Sequence, residues 1–427
     1  MTQQPHNKPT LTPQRVTAIP AAYVRSLLCI AVSSRLALLL LGITSYHMLP
    51  SYDHSTQLFF PTTCTSASDR VLISALSPLL RWDALHFLSV ARDGYLVEKQ
   101  HAWFPLLPAT LSAIARPLAA LLGLCPSTAL LLSALLLNCL LLPLSLPPLY
   151  RLSLLVSSSQ HLSYLSCVCW LLCPSAVFLL CGGYTELLYA CCVFWGLWLC
   201  ATDRLLLSSC VLCLAASTRS NGALLCIFPV VRCIEHAYRQ WQDGLAGRWL
   251  QVLIGWTVTA AACTLLIVAP SFLFSHLSSL PYCTPTRTTT NQPLPAYCST
   301  WLPSMYGYVQ STYWHVGPFR YWQPQQLPNF LLAAPVLTLA AASVQWSTRQ
   351  PPPYWVHGVY VALLWCVCVV VLHVQVSTRF LSSVPLLYWY MAWCWQRSEK
   401  RARWLLGWCL SYATVGTILF SLFLPWT

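Results

Sequence analysis

Long apolar runs, separated by short polar stretches, recur along nearly the whole chain of 427 residues. Each run is close to the roughly 20 residues that a helix needs to cross a bilayer. The pattern predicts an all-α, polytopic transmembrane protein with about 10–11 membrane segments. The predicted segments cover residues 24–47, 103–123, 128–149, 161–181, 185–201, 206–231, 249–275, 328–346, 355–375, 381–396 and 404–426.

The polar stretches predict how the chain is arranged around the membrane. Basic residues cluster at the ends of several apolar runs, most densely in 397–403, and such clusters mark the cytosolic side. With residues 1–23 as a cytosolic tail, the two large polar loops, 48–102 and 276–327, both fall on the opposite side. We therefore expect one membrane domain over residues 24–427 that includes both loops.

Two parts of the chain do not fit a simple alternation of crossings. Residues 103–149 must make one net crossing and residues 206–231 none, so at least two segments are expected to be broken or re-entrant. Irregular backbone at membrane depth is tolerated where it is buried in protein or lines a cavity. The count therefore favours a cavity within the membrane domain.

Composition narrows the class of protein further. Only 8% of the residues are charged, against about 25% in an ordinary soluble domain, so this chain could not cover a water-facing surface. The net charge of +13 would suggest a nucleic-acid partner in a soluble protein. Because the basic residues sit at the ends of apolar runs, they are better explained as topology signals, and no nucleic-acid partner is expected.

The cysteines and the missing motifs argue against a metal cofactor. Most of the 22 cysteines lie in apolar runs, where they behave as small buried hydrophobes. Cys64, Cys283 and Cys298 lie in polar loops, and three candidates allow three disulfide pairings. No C-x-x-C pair occurs in a loop, and the D-x-D pair that nucleotide-sugar transferases use for a metal is absent. We expect neither a metal nor another cofactor.

The stretch Arg81-Trp82-Asp83 carries the densest candidate chemistry. A carboxylate at Asp83 could act as a general base toward a hydroxyl acceptor, and Arg81 and Arg92 could bind a phosphate. The alternative is a set of ordinary interfacial ion pairs with Trp82 as an aromatic-belt residue. Four of the ten acidic residues lie in this neighbourhood: Asp69, Asp83, Asp93 and Glu98.

Polar residues also interrupt two apolar runs. Glu186 separates two of these runs. It is either a polar contact that lines the mouth of a cavity or a loop residue at the membrane boundary. Arg219 lies with Asn221 in the polar segment 217–222, inside a run that is otherwise apolar. An arginine in that position needs an anionic partner or water, and a lipid phosphate and a protein carboxylate are the two candidates.

Rings and amides crowd the second loop and the turn after residue 372. Aromatic faces with hydroxyl and amide groups suit a sugar, although an interfacial aromatic belt has the same composition. If these polar groups form one site, Asp83, Arg219 and Arg379 must converge on one cavity. The candidate binding residues in these two stretches are Gln310, Tyr313, Trp314, Arg320, His373, Gln375 and Arg379.

Several of these blocks, in one order along roughly residues 75–385, resemble the GPI mannosyltransferase 2 family of the GT-C class of polytopic glycosyltransferases. Blocks that keep a common order are more specific than any single motif. The matching blocks are Arg81-Trp82-Asp83, Ala102-Trp103-Phe104-Pro105, Cys173-Pro174-Ser175, Gly183-Tyr184-Thr185-Glu186, Thr218-Arg219-Ser220-Asn221-Gly222, Tyr313-Trp314-His315, Arg320-Tyr321-Trp322 and His373-Val374-Gln375-Val376-Ser377-Thr378-Arg379.

The resemblance implies an enzyme of the endoplasmic reticulum membrane. It would add the second mannose, in α-1,6 linkage, from dolichyl phosphate mannose to a mannosyl-GPI lipid on the luminal side, by an inverting, metal-independent displacement. The family's pattern assigns the catalytic carboxylate to Asp83, with Trp82 beside it, and leaves room for a small accessory membrane subunit. Phosphate contacts from Arg81, Arg219 or Arg379 are inferred from charge alone. The alternatives are a lipid transporter or scramblase and a non-catalytic subunit of a lipid-glycosylation complex.

Overall fold

The computed structural model describes residues 18–53, 66–180, 183–242, 248–283 and 294–425, and these are helices joined by turns and loops, with no strand among them. The prediction of an all-α, polytopic membrane protein is confirmed. In the first part of the chain, the helices are α1 (Ala21–Met48), α2 (Ala67–Leu76), α3 (Asp83–Asp93), α4 (Leu106–Leu122) and α5 (Pro126–Ser157).

The first loop contains two short helices, α2 and α3. After α3, a 3₁₀ turn at Glu98–Ala102 leads into α4. The backbone N–H of Leu106 donates to the carbonyl of Ser217 at 3.2 Å. That bond ties the start of α4 to a bend in the middle of the chain, which also carries Arg219.

The middle of the chain contains a break within residues 206–231, where the crossing count predicted one. Ser217 and Thr218 direct their hydroxyls to the carbonyls of Cys213 and Ala215, and such bonds compete with the helical ladder. A 3₁₀ segment, Ser220–Cys226, then reverses the chain. The helices of this part are α6 (Gln160–Leu171), α7 (Ala176–Leu180), α8 (Glu186–Ala201), α9 (Leu205–Ala216) and α10 (Ile227–Gln242).

Helices α8 and α9 form a tight hairpin. A Cβ atom on Gly196 would lie 2.3 Å from the side chain of Leu212, so only glycine permits this approach, and Ser208 donates to the carbonyl of Gly196 at 2.8 Å. Asp203 lies at the closed end of the hairpin, with φ of 63°. Glu186 and Arg219 both lie at the open end.

The remaining helices complete the bundle. Helix α18 packs against α1, and α17 packs against α6, so the two ends of the chain meet. The C-terminal helices are α11 (Trp249–Leu277), α12 (Leu280–Cys283), α13 (Met305–Tyr313), α14 (Leu327–Ser347), α15 (Tyr354–Val370), α16 (Ser377–Phe380), α17 (Pro385–Arg397) and α18 (Glu399–Ser421).

The helices differ in their capacity to cross a membrane. Within the described residues, α1, α5, α11, α14 and α18 are long and apolar enough to do so. Helices α4, α8, α9 and α15 are also apolar but have 12–17 residues, fewer than the roughly 20 that a full crossing needs. Several of the predicted segments are therefore short helices that meet at bends.

The second loop is closed by a disulfide bond between Cys283 and Cys298, one of the three pairings that the sequence allowed. Cys64 lies outside the described residues. Cys125 is also disulfide-bonded, which corrects its grouping with the buried apolar cysteines. Around the Cys283–Cys298 bond, Tyr297, Met305 and Val309 form a small apolar core of their own.

Candidate active site

The site is built around an abrupt turn at Trp82. This residue has φ of 54° and ψ of −123°, a conformation that residues with a side chain rarely adopt and that stores strain. The turn sends its two neighbours into different surroundings. Arg81 is 1% exposed, whereas the side chain of Asp83, the first residue of α3, is 34% exposed.

Asp83 belongs to a group of four charged side chains, which we call the buried quartet: Asp83, Glu186, Arg219 and Arg379. Arg379 donates to Asp83 at 2.7 Å and to Glu186 at 2.5 Å. Arg219 reaches the same oxygen of Glu186, with an N–O distance of 3.3 Å. Two carboxylates thus face two guanidinium groups.

Burial makes the charges of the quartet strongly interdependent. Glu186 is fully buried, and an unpaired charge in that position would be very costly. Burial opposes the charged form of Arg379, but the carboxylates of Glu186 and Asp83 outweigh it and raise the pKa of Arg379 above its usual value. Arg379 therefore remains a cation that holds one exposed and one buried carboxylate.

A cavity of about 380 Å³ opens above the quartet, at the open end of the α8–α9 hairpin. Its floor is charged and its side is aromatic. Trp103 and Trp314 meet edge to face there, with ring centroids 5.4 Å apart. The lining residues are Trp82, Asp83, Phe87, Ala102, Trp103, Phe104, Tyr184, Thr185, Thr218, Arg219, Ser220, Tyr306, Gln310, Trp314, Val316, Leu372, His373, Gln375, Val376, Arg379 and Phe380.

A close backbone contact sets the position of α3 over the hairpin. A Cβ atom on Gly183 would lie 2.6 Å from the Cβ atom of Ala84, closer than carbon atoms normally approach. Ala84 follows Asp83, and Gly183 precedes Glu186 by three residues. The missing side chain at Gly183 therefore allows the two carboxylates to share Arg379.

Most of the residues proposed from sequence surround this cavity. Asp83, Arg219 and Arg379 converge on it, as expected if they form one site. His373 donates from Nε2 to the carbonyl of Trp314 at 2.7 Å, so it fixes the aromatic side. The proposed residues that line the cavity are Trp82, Asp83, Arg219, Gln310, Trp314, His373, Gln375 and Arg379.

Arg81 departs from the sequence prediction. Its guanidinium donates to the carbonyls of Ser421 and Leu80, both at 3.0 Å, and lies over the rings of Tyr46 and Phe423. Arg81 thus joins the first loop to α1 and to the end of α18. It does not line the cavity, so we no longer consider it a phosphate ligand.

The other proposed residues also differ from expectation. Glu186 lies beneath the cavity and contacts the arginines rather than the cavity space. Asn221 is buried and does not line the cavity, Tyr313 donates to Glu98, and Arg320 is exposed. Arg92 pairs with Asp93 at 2.8 Å on the surface, which is the ordinary ion pair that the sequence left open as an alternative.

Sequence reasoning missed several lining residues. Trp103 and Phe104 were quoted as part of a matching block but received no role, as did Thr185, Thr218 and Ser220. The hydroxyl of Ser220 lies 2.9 Å from that of Tyr306, which joins the bend after α9 to the second loop. Most of the missed residues lie next to a residue that was proposed for the site, so adjacency in the sequence is the signal that could have found them.

The fold and the cavity together are compatible with a polytopic membrane enzyme, because a carboxylate, two arginines and an aromatic side share one opening. Comparison with known proteins identifies the family. The sequence profile described as mannosyltransferase (PIG-V) matches residues 24–360 and 350–427. The chain belongs to this family and is a glycosyltransferase, so the transporter alternative is not retained.

Individual relatives match over most of their length. GPI alpha-1,6-mannosyltransferase 2 of Mus musculus is 29% identical in an alignment 499 positions long, which covers 94% of this chain and 98% of that protein. The Homo sapiens protein of the same name is 28% identical, with the same coverage. GPI mannosyltransferase 2 of Yarrowia lipolytica is 32% identical over 350 residues, 80% of this chain and 83% of the relative.

Proposed function

We propose that this protein transfers a mannose, in α-1,6 linkage, from dolichyl phosphate mannose to a mannosyl-GPI lipid on the luminal side of the endoplasmic reticulum membrane. The names of the relatives and the resemblance described above supply the substrates. The observation that carries the proposal is the partly exposed carboxylate of Asp83, held by Arg379 at the floor of a cavity.

The chemistry is a single in-line displacement. An acceptor hydroxyl oxygen attacks the anomeric carbon of mannose, and the bond from that carbon to the phosphate oxygen breaks. Asp83 takes the hydroxyl proton as general base, and the electron pair leaves with dolichyl phosphate. One displacement inverts the β-linked donor into an α-linked product. The proposed reaction uses no metal.

Arg379 and Arg219 are the proposed contacts to the departing phosphate. Guanidinium groups suit phosphate because they offer several donors in a fixed plane. Both line the cavity, and both are anchored from below by Glu186. Their charge is therefore already oriented before the leaving group develops its own, which is how preorganised sites stabilise transition states.

The aromatic side is the proposed sugar contact. Trp103 and Trp314 line the cavity with their rings, and Gln310 adds an amide. Sugars commonly stack their C–H faces on such rings while polar groups fix their orientation. The cavity lies at the open end of the α8–α9 hairpin, whose helices are apolar, and we propose that the lipid-linked sugar enters it from the membrane.

The test is a microsomal transfer assay with labelled dolichyl phosphate mannose and a one-mannose GPI acceptor. We expect transfer by the wild type and a loss of about 10²–10⁴-fold in Asp83→Asn, the range for removal of a general base. Asp203→Asn is the matched control, because it removes a carboxylate at the far end of the same hairpin and should retain activity.

Two results would count against the proposal. Transfer that survives Asp83→Asn unchanged would remove Asp83 as the base and revive the idea of a non-catalytic subunit. The proposed reaction itself would be excluded if microsomes with the wild-type protein transferred no mannose to this acceptor while separate microsomes with a relative did.

A further inference from the structure

Glu98 joins the two loops that flank the cavity. It begins the 3₁₀ turn after α3, on the first loop, and accepts hydrogen bonds from two tyrosines of the second. The hydroxyl of Tyr297 donates to Oε1 at 2.8 Å, and that of Tyr313 donates to Oε2 at 3.0 Å. Each carboxylate oxygen is therefore used by a different part of the second loop.

The tyrosines lead directly to the aromatic side of the cavity. Tyr297 packs on Tyr308 with ring centroids 4.6 Å apart, and Tyr308 contacts Tyr313 edge to face at 6.5 Å. Tyr313 is followed by Trp314, whose ring it contacts at 6.1 Å. Lys99, the neighbour of Glu98, places its ammonium group 5.3 Å from the ring centroid of Trp314.

Other ties hold this segment next to Tyr297, at the start of α13 and at Trp314. The Cys283–Cys298 disulfide holds the residue after Tyr297. Ser220 holds Tyr306 at the start of α13, and His373 holds the carbonyl of Trp314. Glu98 connects the tyrosine chain by hydrogen bonds to the first loop, which also carries Asp83.

We propose that Glu98 is a positioning residue that holds Trp314 and Gln310 in place as a sugar-binding side of the cavity. The inference rests on the proposed function, because it deepens the role of the same cavity. Glu98 does not line the cavity, so it acts through Tyr297 and Tyr313. The two hydrogen bonds of Glu98 add to the contact between Trp103 and Trp314, and together they hold the base and the sugar contact on facing sides of the cavity.

The two hydrogen bonds are not equivalent. Tyr297 is 6% exposed, whereas Tyr313 is 44% exposed, and water competes more effectively for an exposed donor. The bond to Glu98 and partial burial both raise the pKa of Tyr313, so the hydroxyl stays protonated as a donor at neutral pH. Tyr297→Phe should consequently weaken the contact more than Tyr313→Phe.

The test compares Glu98→Ala with Glu98→Gln and with Asp93→Ala in the full-length protein. Asp93 is the matched control, since it is an acid of the same loop whose partner is Arg92 at the surface. We expect Glu98→Ala to raise KM for at least one substrate about 10-fold, the equivalent of one lost buried hydrogen bond, with kcat within about 3-fold. Glu98→Gln keeps an acceptor oxygen and should recover part of the loss.

Hydrogen exchange provides a readout that does not depend on transfer. Glu98→Ala should speed hydrogen exchange in residues 305–316 and leave exchange in α8 unchanged. In a protein that already carries Tyr297→Phe and Tyr313→Phe, the further change Glu98→Ala should alter neither exchange nor KM. Faster exchange with both KM values unchanged would leave Glu98 as a structural tie and overturn the positioning role. Behaviour identical to Asp93→Ala in both measurements would overturn the contact itself. If the wild type transfers no mannose, the proposed function fails, whereas the exchange measurement still decides whether Glu98 holds the second loop through Tyr297 and Tyr313.

Discussion

The α8–α9 hairpin carries a charged cluster at each of its two ends, and the clusters have similar residues but different surroundings. At the open end, the buried quartet pairs two carboxylates with two arginines beneath the cavity. At the closed end, Asp203 accepts hydrogen bonds from Arg232 and from His236, the latter at 2.8 Å. Arg232 also donates to Glu235 at 2.6 Å.

Exposure separates the two clusters. Glu186 is completely buried, whereas the side chain of Asp203 is 48% exposed. The exposed cluster ties the hairpin turn to α10, where water can replace any lost partner. At the open end, water cannot replace a partner of the fully buried Glu186, so its charge must be balanced by the two arginines, whereas Asp83 also faces the cavity. The same ion-pair chemistry therefore serves as a simple tie at one end and as a candidate reaction site at the other.

The largest expected difference between the clusters follows from removing one arginine from each. Arg379→Met leaves Glu186 without its closest partner and should cost about 3–5 kcal/mol of stability, as breaking a buried ion pair does. Arg232→Met should cost about 1 kcal/mol or less, because its partners are partly exposed. Unfolding of both purified variants in the same detergent measures the two losses. Equal losses would show that burial does not distinguish the clusters.

A smaller effect is expected when the charge of Glu186 is removed with its shape retained. Glu186→Gln leaves two arginines facing one carboxylate, and we expect about 2 kcal/mol of destabilisation, in the range for a buried group that loses a charged partner. Adding Arg219→Met restores the charge balance, so the double variant should be less destabilised than the sum of the single variants. Additive losses in the same unfolding assay would show that Arg219 and Glu186 are not coupled.

The smallest effect concerns the exposed cluster and pH. Partial burial opposes ionisation of Asp203, but hydrogen bonds from His236 and Arg232 hold the pKa of Asp203 below its usual value. A lowered folded-state pKa contributes stability above the unfolded value of about 3.9 and loses it as pH falls through the folded value. Asp203→Asn should be less stable than the wild type at pH 7, by about 1 kcal/mol or less. The gap should close toward pH 3, and a gap that widened on acidification would contradict the assignment.

The sequence predicted the class of fold well because hydrophobic length is a local property. Runs of apolar residues marked each of the five described helices that are long and apolar enough to cross a membrane, and the failure of the crossing count at 206–231 correctly indicated a break. The reason for that break could not be read from the sequence alone. It depends on Gly222, where a Cβ atom would lie 2.4 Å from the Cα atom of Ala216, and a close approach of that kind is visible only in three dimensions.

The site was predicted in part, and the errors have one physical source. Asp83, Arg219 and Arg379 were selected as uncommon charges in an apolar chain, and they do meet. Arg81 met the same criterion, but the strained turn at Trp82 directs it to the opposite side of the loop. Glu98 received no role because its partners lie about 200 residues away along the chain, with Tyr297 separated by 199 residues. Charge can be read from sequence, but side-chain direction and distant partners cannot.

The contact between Gly183 and Ala84 has a consequence for how natural variants of this protein should be interpreted. A single added methyl group at Gly183 has no room, so Gly183→Ala would push α3 away from the hairpin and separate Asp83 from Arg379. Every charged and aromatic side chain of the cavity would be intact in such an allele. Inspection of the polar residues alone would class the change as harmless, yet the proposed transfer would lose the geometry that Asp83 and Arg379 share.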